Sequence, residues 1–245
     1  MKSINTRICL LGGWAVYHTV NDYFSNKKKR PYLGSRDIDL GIYLRPMMSK
    51  SELISTTLFK VLNIIESEGF QAEGIRYRKD IRYKSKDPND GKMKEESFPL
   101  YIDIIVNSYP PSYSDITHQY FFEESLVEII YGNRQNQIDI PKISNLIFMP
   151  IPEILLACKI RSIPGRDTHY KRVKDICDLY SLLFYTAKSY DKTVKKLKKY
   201  IQSDAVIHLK NTINKEMMEE SERKIGEPSG SINTVIGNLF NEFGI

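Results

Sequence analysis

The chain contains few of the residues that hold metals or build disulfide frameworks. Of its 245 residues, three are cysteine and four are histidine. Cys9, Cys158 and Cys177 are far apart and form no C-x-x-C pair, which excludes a predicted disulfide framework or zinc site. The histidines never fall at metal-ligand spacing. We therefore interpret the cysteines as small apolar residues of a protein in a reducing compartment.

The sequence also lacks a long apolar run. Charged residues, proline or glycine interrupt every apolar stretch well short of the length of a membrane span. Lys2 and Arg7 precede an apolar stretch at 8–16, but Tyr17 and His18 follow it in place of the small residues of a leader cleavage site. The sequence therefore predicts a cytoplasmic protein without a membrane partner.

The overall composition is that of a globular protein with excess positive charge. Hydrophobic residues make up 41% and charged residues 27%, which excludes a disordered chain. The formal net charge is +6. This charge favours an anionic partner, such as nucleic acid, nucleotide or phosphate, without identifying it.

Periodicity divides the chain into an α/β part and a helical part. Strand patterns and helix patterns alternate up to about residue 145, and helix patterns continue from Pro152 to the end. The main predicted elements are strands at 7–11, 37–44, 71–83 and 100–106, helices at 14–24 and 51–68, and a hairpin at 126–140. We predict an α+β fold: a mixed sheet flanked by helices in residues 1–147, followed by an α-helical C-terminal domain in residues 148–245.

Three aspartates interrupt apolar strands. Asp37 and Asp39 are at i and i+2, so their carboxylates share a face, with Cα atoms about 6–7 Å apart. Such a pair repels unless a cation lies between its members, and a hard divalent ion prefers oxygen ligands. A solvated strand face is the alternative for this pair alone. Asp103 is a third acid in an apolar strand, within the run 101–106, and burying its carboxylate without a partner would be energetically unfavourable. Together the three aspartates predict a two-metal site for phosphoryl transfer.

A glycine pair, Gly12-Gly13, separates the first strand from the first helix. Glycine lets the backbone approach a ligand closely, and amide groups at a helix N-terminus bind phosphate. A simple tight turn is the alternative.

In their order, GGWA at 12–15, SRDIDL at 35–40 and YIDIIV at 101–106 resemble the DNA polymerase β-like nucleotidyltransferase superfamily. The resemblance implies that Asp37 and Asp39 bind metal and that Asp103 binds metal and deprotonates the attacking hydroxyl. It also implies that the triphosphate is held by Gly12, Gly13 and Ser35. Trp14 departs from the pattern, because many members have Ser or Thr there. The GGWA turn itself is similar to that of aminoglycoside-type adenylyltransferases.

The segment PEILLACKIRSIPGRDTHYKRVKDICDLYSLL, residues 152–183, resembles the C-terminal helices of AbiEii-type nucleotidyltransferases. The resemblance implies that Lys159 contacts phosphates and that Lys174, Asp175 and Asp178 shape the same pocket. An ordinary surface network, in which Lys171 or Lys174 pairs with the two aspartates, is the alternative.

The predicted function is therefore a metal-dependent nucleotidyltransferase. It transfers a nucleoside monophosphate from an NTP, such as ATP, to an acceptor, with two Mg²⁺ ions as cofactors. The AbiEii resemblance favours RNA, tRNA or protein as acceptor, as for a toxin with a cognate antitoxin, whereas the GGWA turn favours a small molecule. A non-catalytic nucleotide- or RNA-binding module is a further alternative. A basic cluster is interpreted either as a track for a nucleic-acid backbone or as an exposed charged strand: Arg76, Arg78, Lys79, Arg82 and Lys84.

Overall fold

A computed structural model describes residues 7–86, 93–140 and 143–245. The chain forms two compact units. The first consists of Met1–Leu10, Ser35–Glu128 and Asp139–Phe148, and the second consists of Leu11–Gly34, Ile129–Ile138 and Met149–Ile245. The predicted domains, 1–147 and 148–245, remain a prediction, because these units do not test whether either half folds alone.

A mixed sheet forms most of the first unit. The strands are β1 (Ile8–Leu11), β2 (Asp37–Ile42), β3 (Gln71–Glu73), β4 (Arg76–Lys86), β5 (Met93–Val106), β6 (Phe122–Glu123), β7 (Gln137–Asp139) and β8 (Ile147–Pro150). Their order in this unit is β3-β4-β5-β2-β1-β8, with β6 beside β5. β2 is parallel to β5, and β1 is parallel to β8. β4 is antiparallel to both β3 and β5, so the sheet is mixed, as predicted.

Two short helices cover one face of this sheet. α2 (Lys50–Ile54) and α3 (Thr57–Ser67) contribute to the same hydrophobic core as alternate residues of β2 and β5. The apolar strand residues of this core are Ile38, Leu40, Ile42, Ile102, Ile104 and Val106. The intervening residues of both strands point to the opposite face of the sheet.

The predicted helix at 51–68 is divided in two, which corrects that expectation. A capping box of Ser49 and Glu52 begins α2. The hydroxyl groups of Ser55 and Thr56 then donate to the carbonyls of Ser51 and Leu53. Thr56 adopts an extended conformation and starts α3. Local hydroxyl bonds of this kind compete with helix continuation.

The β4–β5 hairpin is longer than the sequence indicated. Its ladder runs from the pair Arg76 and Asp103 to the pair Lys86 and Met93. The predicted strand 71–83 is divided into β3 and β4, and the predicted strands 71–83 and 100–106 were too short on the hairpin side, because cross-strand bonds such as Ser85 to Glu96 extend them. The turn residues 87–92 lie outside the described residues.

The predicted hairpin at 126–140 was wrong. This segment forms α4 (Leu126–Gly132), a 3₁₀ turn at Arg134–Asn136 and the short strand β7. The Glu124 carboxylate accepts from the Leu126 N–H and so supports the first turn of the helix. A short apolar run does not distinguish a helix from a strand by periodicity alone.

Helices build the second unit. They are α1 (Gly12–Lys28), α5 (Pro152–Ser162), α6 (His169–Phe184), α7 (Tyr190–Leu197), α8 (Ser203–Thr212), α9 (Lys215–Ile225) and α10 (Ser231–Glu242). α6 packs against α1, α5 and α9. The prediction of a helical C-terminal part is confirmed. Across the described residues, no helix combines the length and the apolar character needed to cross a membrane.

Candidate functional site

The three predicted aspartates lie on one face of the sheet. Asp39 and Asp103 are register partners on the parallel strands β2 and β5, and Asp37 precedes Asp39 by two residues. Because register partners in a sheet and alternate residues of a strand point the same way, all three carboxylates face away from the core under α2 and α3. Their placement on a common face was expected from the sequence.

Arg76 binds two of the three acids. Its Nε donates to Asp103 Oδ1 at 2.8 Å and its Nη2 to Asp103 Oδ2 at 2.6 Å. The same Nη2 lies 3.5 Å from Asp37 Oδ2. The guanidinium also covers the Tyr101 ring, with its carbon 4.2 Å from the ring centroid. Arg76 is therefore a counter-cation for two of the three acids.

The electrostatics of this pair follow from its partial burial. Asp103 is only 6% exposed, and a buried carboxylate needs a charged or hydrogen-bonding partner. Hydrogen bonds to Asp103 raise the pKa of the Arg76 guanidinium, while its partial burial opposes this. A two-pronged contact between guanidinium and carboxylate is strong and geometrically specific.

The cluster has the donor chemistry for a divalent cation but not a ready arrangement for one. Carboxylate oxygens are suitable Mg²⁺ ligands. Within the described ranges, however, no three His, Cys, Asp or Glu side chains are grouped to hold a metal ion. Both oxygens of Asp103 accept hydrogen bonds from Arg76, so a metal ion there would compete with the guanidinium for the carboxylate. Metal binding by Asp37, Asp39 and Asp103 remains a prediction.

Ser35 lies immediately before β2. Its Oγ accepts a hydrogen bond from the Asp37 N–H at 3.3 Å and so stabilises the start of the strand that carries two of the acids. The side chain is partly exposed. Its predicted contact with a triphosphate remains a prediction.

In the second unit, the glycine pair begins α1. Gly12 has φ +58°, a conformation that favours glycine, and Gly13 is buried. The helix N-cap makes no side-chain hydrogen bond and the first turn contains no acidic residue. Such an N-terminus attracts anions. Nucleotide binding by Gly12 and Gly13 remains a prediction.

The Lys159 side chain lies in a buried ionic network of the second unit. Its Nζ is 2.7 Å from Asp178 Oδ2 and also pairs with Asp175. Arg166 binds the other oxygen of Asp175, and Lys174 binds Asp178 at 3.0 Å. The alternative of an ordinary surface network is correct about one pair, because Lys174 binds Asp178. It is wrong about the location, because both aspartates are buried.

Burial and charge oppose each other in this network. Burial disfavours the charged form of Lys159, yet the neighbouring Asp175 and Asp178 raise its pKa. Burial likewise favours neutral Asp175, but Lys159 and Arg166 lower its pKa. Each charge is therefore maintained by its partners. Nucleotide binding by Lys159, Lys174 and Asp178 remains a prediction.

Sequence reasoning missed two partners of the predicted site residues. Arg76 appeared only as one member of a basic cluster, because its pairing with Asp103 depends on the β4–β5 register. Tyr32 donates its hydroxyl to Asp178 Oδ1 at 2.9 Å across 146 positions of sequence. Local sequence patterns around Arg76 and Tyr32 do not indicate these partners, because each contact joins segments that are far apart in the sequence.

The burial of the cysteines agrees with their interpretation as small apolar residues: Cys9 and Cys177 are buried, and Cys158 is partly buried. The reducing compartment remains a prediction. Burial raises the pKa of the Cys177 thiol to about 12, so this group is unreactive at neutral pH.

No protein family model matches the chain, and no curated protein sequence matches it. Among solved structures, the crystal structure of an antigenic nucleotidyltransferase-like protein from Paracoccidioides brasiliensis is similar, with 16% identity and a TM-score of 0.35. The match covers 84% of this chain and 85% of that chain. A likeness this remote carries no argument about the site.

Proposed function

We propose that the protein is a nucleotidyltransferase. One observation carries the proposal: Asp39 and Asp103 are register partners on adjacent parallel strands, with Asp37 on the same face. Aspartate is disfavoured in strands, so three such residues facing away from the core need a chemical reason. Phosphoryl-transfer sites use carboxylates grouped in this way.

The proposed reaction is the attack of an acceptor oxygen on the α-phosphorus of an NTP. A new oxygen–phosphorus bond forms, the bond between the α-phosphorus and the bridging oxygen breaks, and pyrophosphate leaves. The proton of the acceptor hydroxyl passes to Asp103 in this proposal. Mg²⁺, held by Asp37, Asp39 and Asp103, would supply positive charge to the triphosphate and the attacking oxygen.

Arg76 has a defined place in this proposal. It neutralises Asp103 and Asp37 when no metal is bound, and its hydrogen bonds to Asp103 compete with metal binding and proton transfer at that carboxylate. When displaced, the guanidinium is a suitable partner for phosphate oxygens.

The remaining site residues enter the proposal through the sequence resemblance. Gly12, Gly13 and Ser35 are proposed to bind the triphosphate. Lys159, Lys174 and Asp178 are proposed to contact the nucleotide. RNA, tRNA or protein is the proposed acceptor, and a toxin role with a cognate antitoxin is proposed on the AbiEii resemblance alone.

A non-catalytic nucleotide- or RNA-binding module is the second candidate. The two-pronged contact of Arg76 with Asp103 favours it, because that contact occupies both oxygens of a required metal ligand. The two candidates differ in one measurable respect: only the enzyme forms a covalent product.

The test is incubation of the protein with each α-³²P-labelled NTP, Mg²⁺ and total RNA, followed by analysis of label on RNA and on protein. Asp39→Asn should lower transfer by about 10²-fold or more, because it removes one negative charge from the proposed metal site. Asp115→Asn is the matched control, since Asp115 is an exposed acid of the same unit that pairs with Lys50 at 3.3 Å.

Two outcomes contradict the enzyme. Intact transfer by Asp39→Asn would remove the catalytic assignment. Absence of label on RNA, on protein and on an added aminoglycoside would favour the non-catalytic module.

A further inference from the structure

The β4–β5 hairpin continues well past the rest of its sheet. β3 pairs with β4 only over Arg76–Arg78, and β2 pairs with β5 only over Tyr101–Val106. Beyond those pairs, Lys79–Lys86 and Met93–Leu100 form a ladder with each other. We call this two-stranded part the ribbon.

One face of the ribbon is continuous with the face that carries the aspartates. Arg76 is the register partner of Asp103, so the even-numbered residues of β4 share the face of Asp103. Moving outwards, this face presents Arg78, Asp80, and then three cations in succession. We call those three, Arg82, Lys84 and Lys86, the basic row.

The basic row is exposed and carries net positive charge. All three side chains are exposed, and none is in an ion pair within the part of the chain that the structure describes. Arg78 differs, because Asp80 binds it at 3.0 Å. One acid, Glu95, stands opposite Lys84 on the same face and offsets part of the charge.

The geometry of the row fits a linear polyanion. Cations two residues apart on a strand are spaced by about 6.8 Å. A flexible single strand can place successive backbone phosphates along such a straight row. A membrane surface fits less well, since Met93 is the exposed large apolar side chain at this end of the face.

We propose that the ribbon is a docking surface for single-stranded nucleic acid, whose backbone lies along the basic row and whose end reaches the aspartates. This inference deepens the proposed function by naming the acceptor class and the surface that binds it, and it rests on that function for the role of the bound strand. The binding itself does not depend on catalysis.

The experiment measures fluorescence anisotropy of a labelled 15-nucleotide single-stranded RNA, without NTP and in the presence of EDTA. The test variant is Arg82→Gln/Lys84→Gln/Lys86→Gln. The matched control is Lys192→Gln/Lys195→Gln/Lys199→Gln, which removes the same charge from exposed lysines of and beside α7. Thermal unfolding of each variant confirms that it is folded.

We expect the ribbon variant to bind at least about tenfold more weakly in 0.1 M salt, with the slope of log K against log salt reduced by about 2. The α7 variant should keep the affinity of the natural chain within about threefold. Arg82→Lys should also keep it, because the charge is retained. The same anisotropy measurement with single-stranded DNA and with duplex RNA of the same sequence then shows which kind of nucleic acid the ribbon prefers.

Three results would overturn the inference: no RNA binding by the natural chain, equal weakening by both triple variants, or an unchanged salt slope in the ribbon variant. Equal weakening would mean that net charge alone attracts the RNA. Because Asp39→Asn should abolish transfer and leave this binding intact, failure of the proposed enzyme and failure of the docking surface give different results.

Discussion

At the scale of single residues, Arg76 sets the electrostatics of the acidic cluster. Three carboxylates on one face would repel one another, and the guanidinium replaces part of that repulsion with charge-assisted hydrogen bonds. Arg76 is therefore a counter-cation for two of the three proposed metal ligands. Arg76 and Mg²⁺ compete for the oxygens of Asp103.

The competition predicts opposite effects of Arg76→Gln with and without metal. In EDTA the variant should lose about 1–2 kcal/mol of unfolding free energy, somewhat less than a fully buried charged hydrogen bond is worth, because Arg76 is partly exposed. Added Mg²⁺ should raise the Tm of the variant more than that of the natural chain, since Asp103 is no longer occupied. Urea denaturation in EDTA measures the loss of unfolding free energy, and differential scanning fluorimetry measures the Mg²⁺-dependent change in Tm.

Arg78→Gln is the control for this substitution. Arg78 is a neighbouring strand arginine whose partners, Asp80 and Glu73, are exposed, so its removal should change stability much less than Arg76→Gln does and leave the Mg²⁺ response unaltered. If Mg²⁺ shifts the Tm of Arg76→Gln no more than that of the natural chain, the three aspartates are not a metal site.

At the scale of elements, the buried network joins α5 to α6. Lys159 comes from α5, while Asp175 and Asp178 come from α6. Pairing buried charges adds little net stability, but leaving one unpaired is costly. The network therefore fixes which turns of the two helices face each other.

Lys159→Met should lower the unfolding free energy by about 3 kcal/mol, because two buried carboxylates lose a shared partner. Arg166 and Lys174 still contact them, which keeps the loss at the low end of its usual range. Urea denaturation measures the change. Lys171→Met, which removes an exposed i,i+4 pair with Asp167, should lower stability much less than Lys159→Met does. A similar loss from both substitutions would contradict the structural importance of the buried network.

The same network predicts a pH window. The pKa of Asp175 is lowered in the folded protein, so its contribution is complete above about pH 4 and is lost as pH falls through the folded pKa. The pKa of Lys159 is raised, so its contribution is complete below about pH 10 and is lost as pH rises through its folded pKa.

The stability difference between the natural chain and Lys159→Met should therefore be constant across this window and decrease on either side. Urea titrations at pH values from 2 to 11 measure it. A difference that stays constant down to pH 2 would show that the carboxylates are not paired with Lys159.

The elements that were predicted correctly depend on local sequence. The alternation at Ile38, Leu40 and Ile42 identified β2, and the apolar run around Asp103 identified β5. The partners Arg76 and Tyr32 could not be predicted, because each contact depends on long-range pairing of segments that periodicity does not determine. The three aspartates could be identified from the sequence because acids are disfavoured in apolar strands, so each of them departs from the local pattern.

At the scale of the whole molecule, the two compact units do not follow the order of the chain. α1 comes early in the sequence but packs against α5 and α6, which come late. It buries Val16, Val20 and Phe24 within the second unit. The C-terminal helices therefore depend on a segment that lies far outside residues 148–245.

This interleaving predicts that a fragment of residues 149–245 will not fold cooperatively alone. Without α1, the Phe24 contact with Tyr185 and the Tyr32 hydrogen bond to Asp178 are lost, so apolar surface and a buried carboxylate are exposed. We expect helical far-UV circular dichroism with a broad thermal transition, and a sharper transition when a peptide of residues 11–34 is added. A peptide with Phe24→Ala is the matched control and should restore less. If the fragment alone unfolds as sharply as the complete chain, residues 148–245 are an independent domain and α1 is an accessory to it.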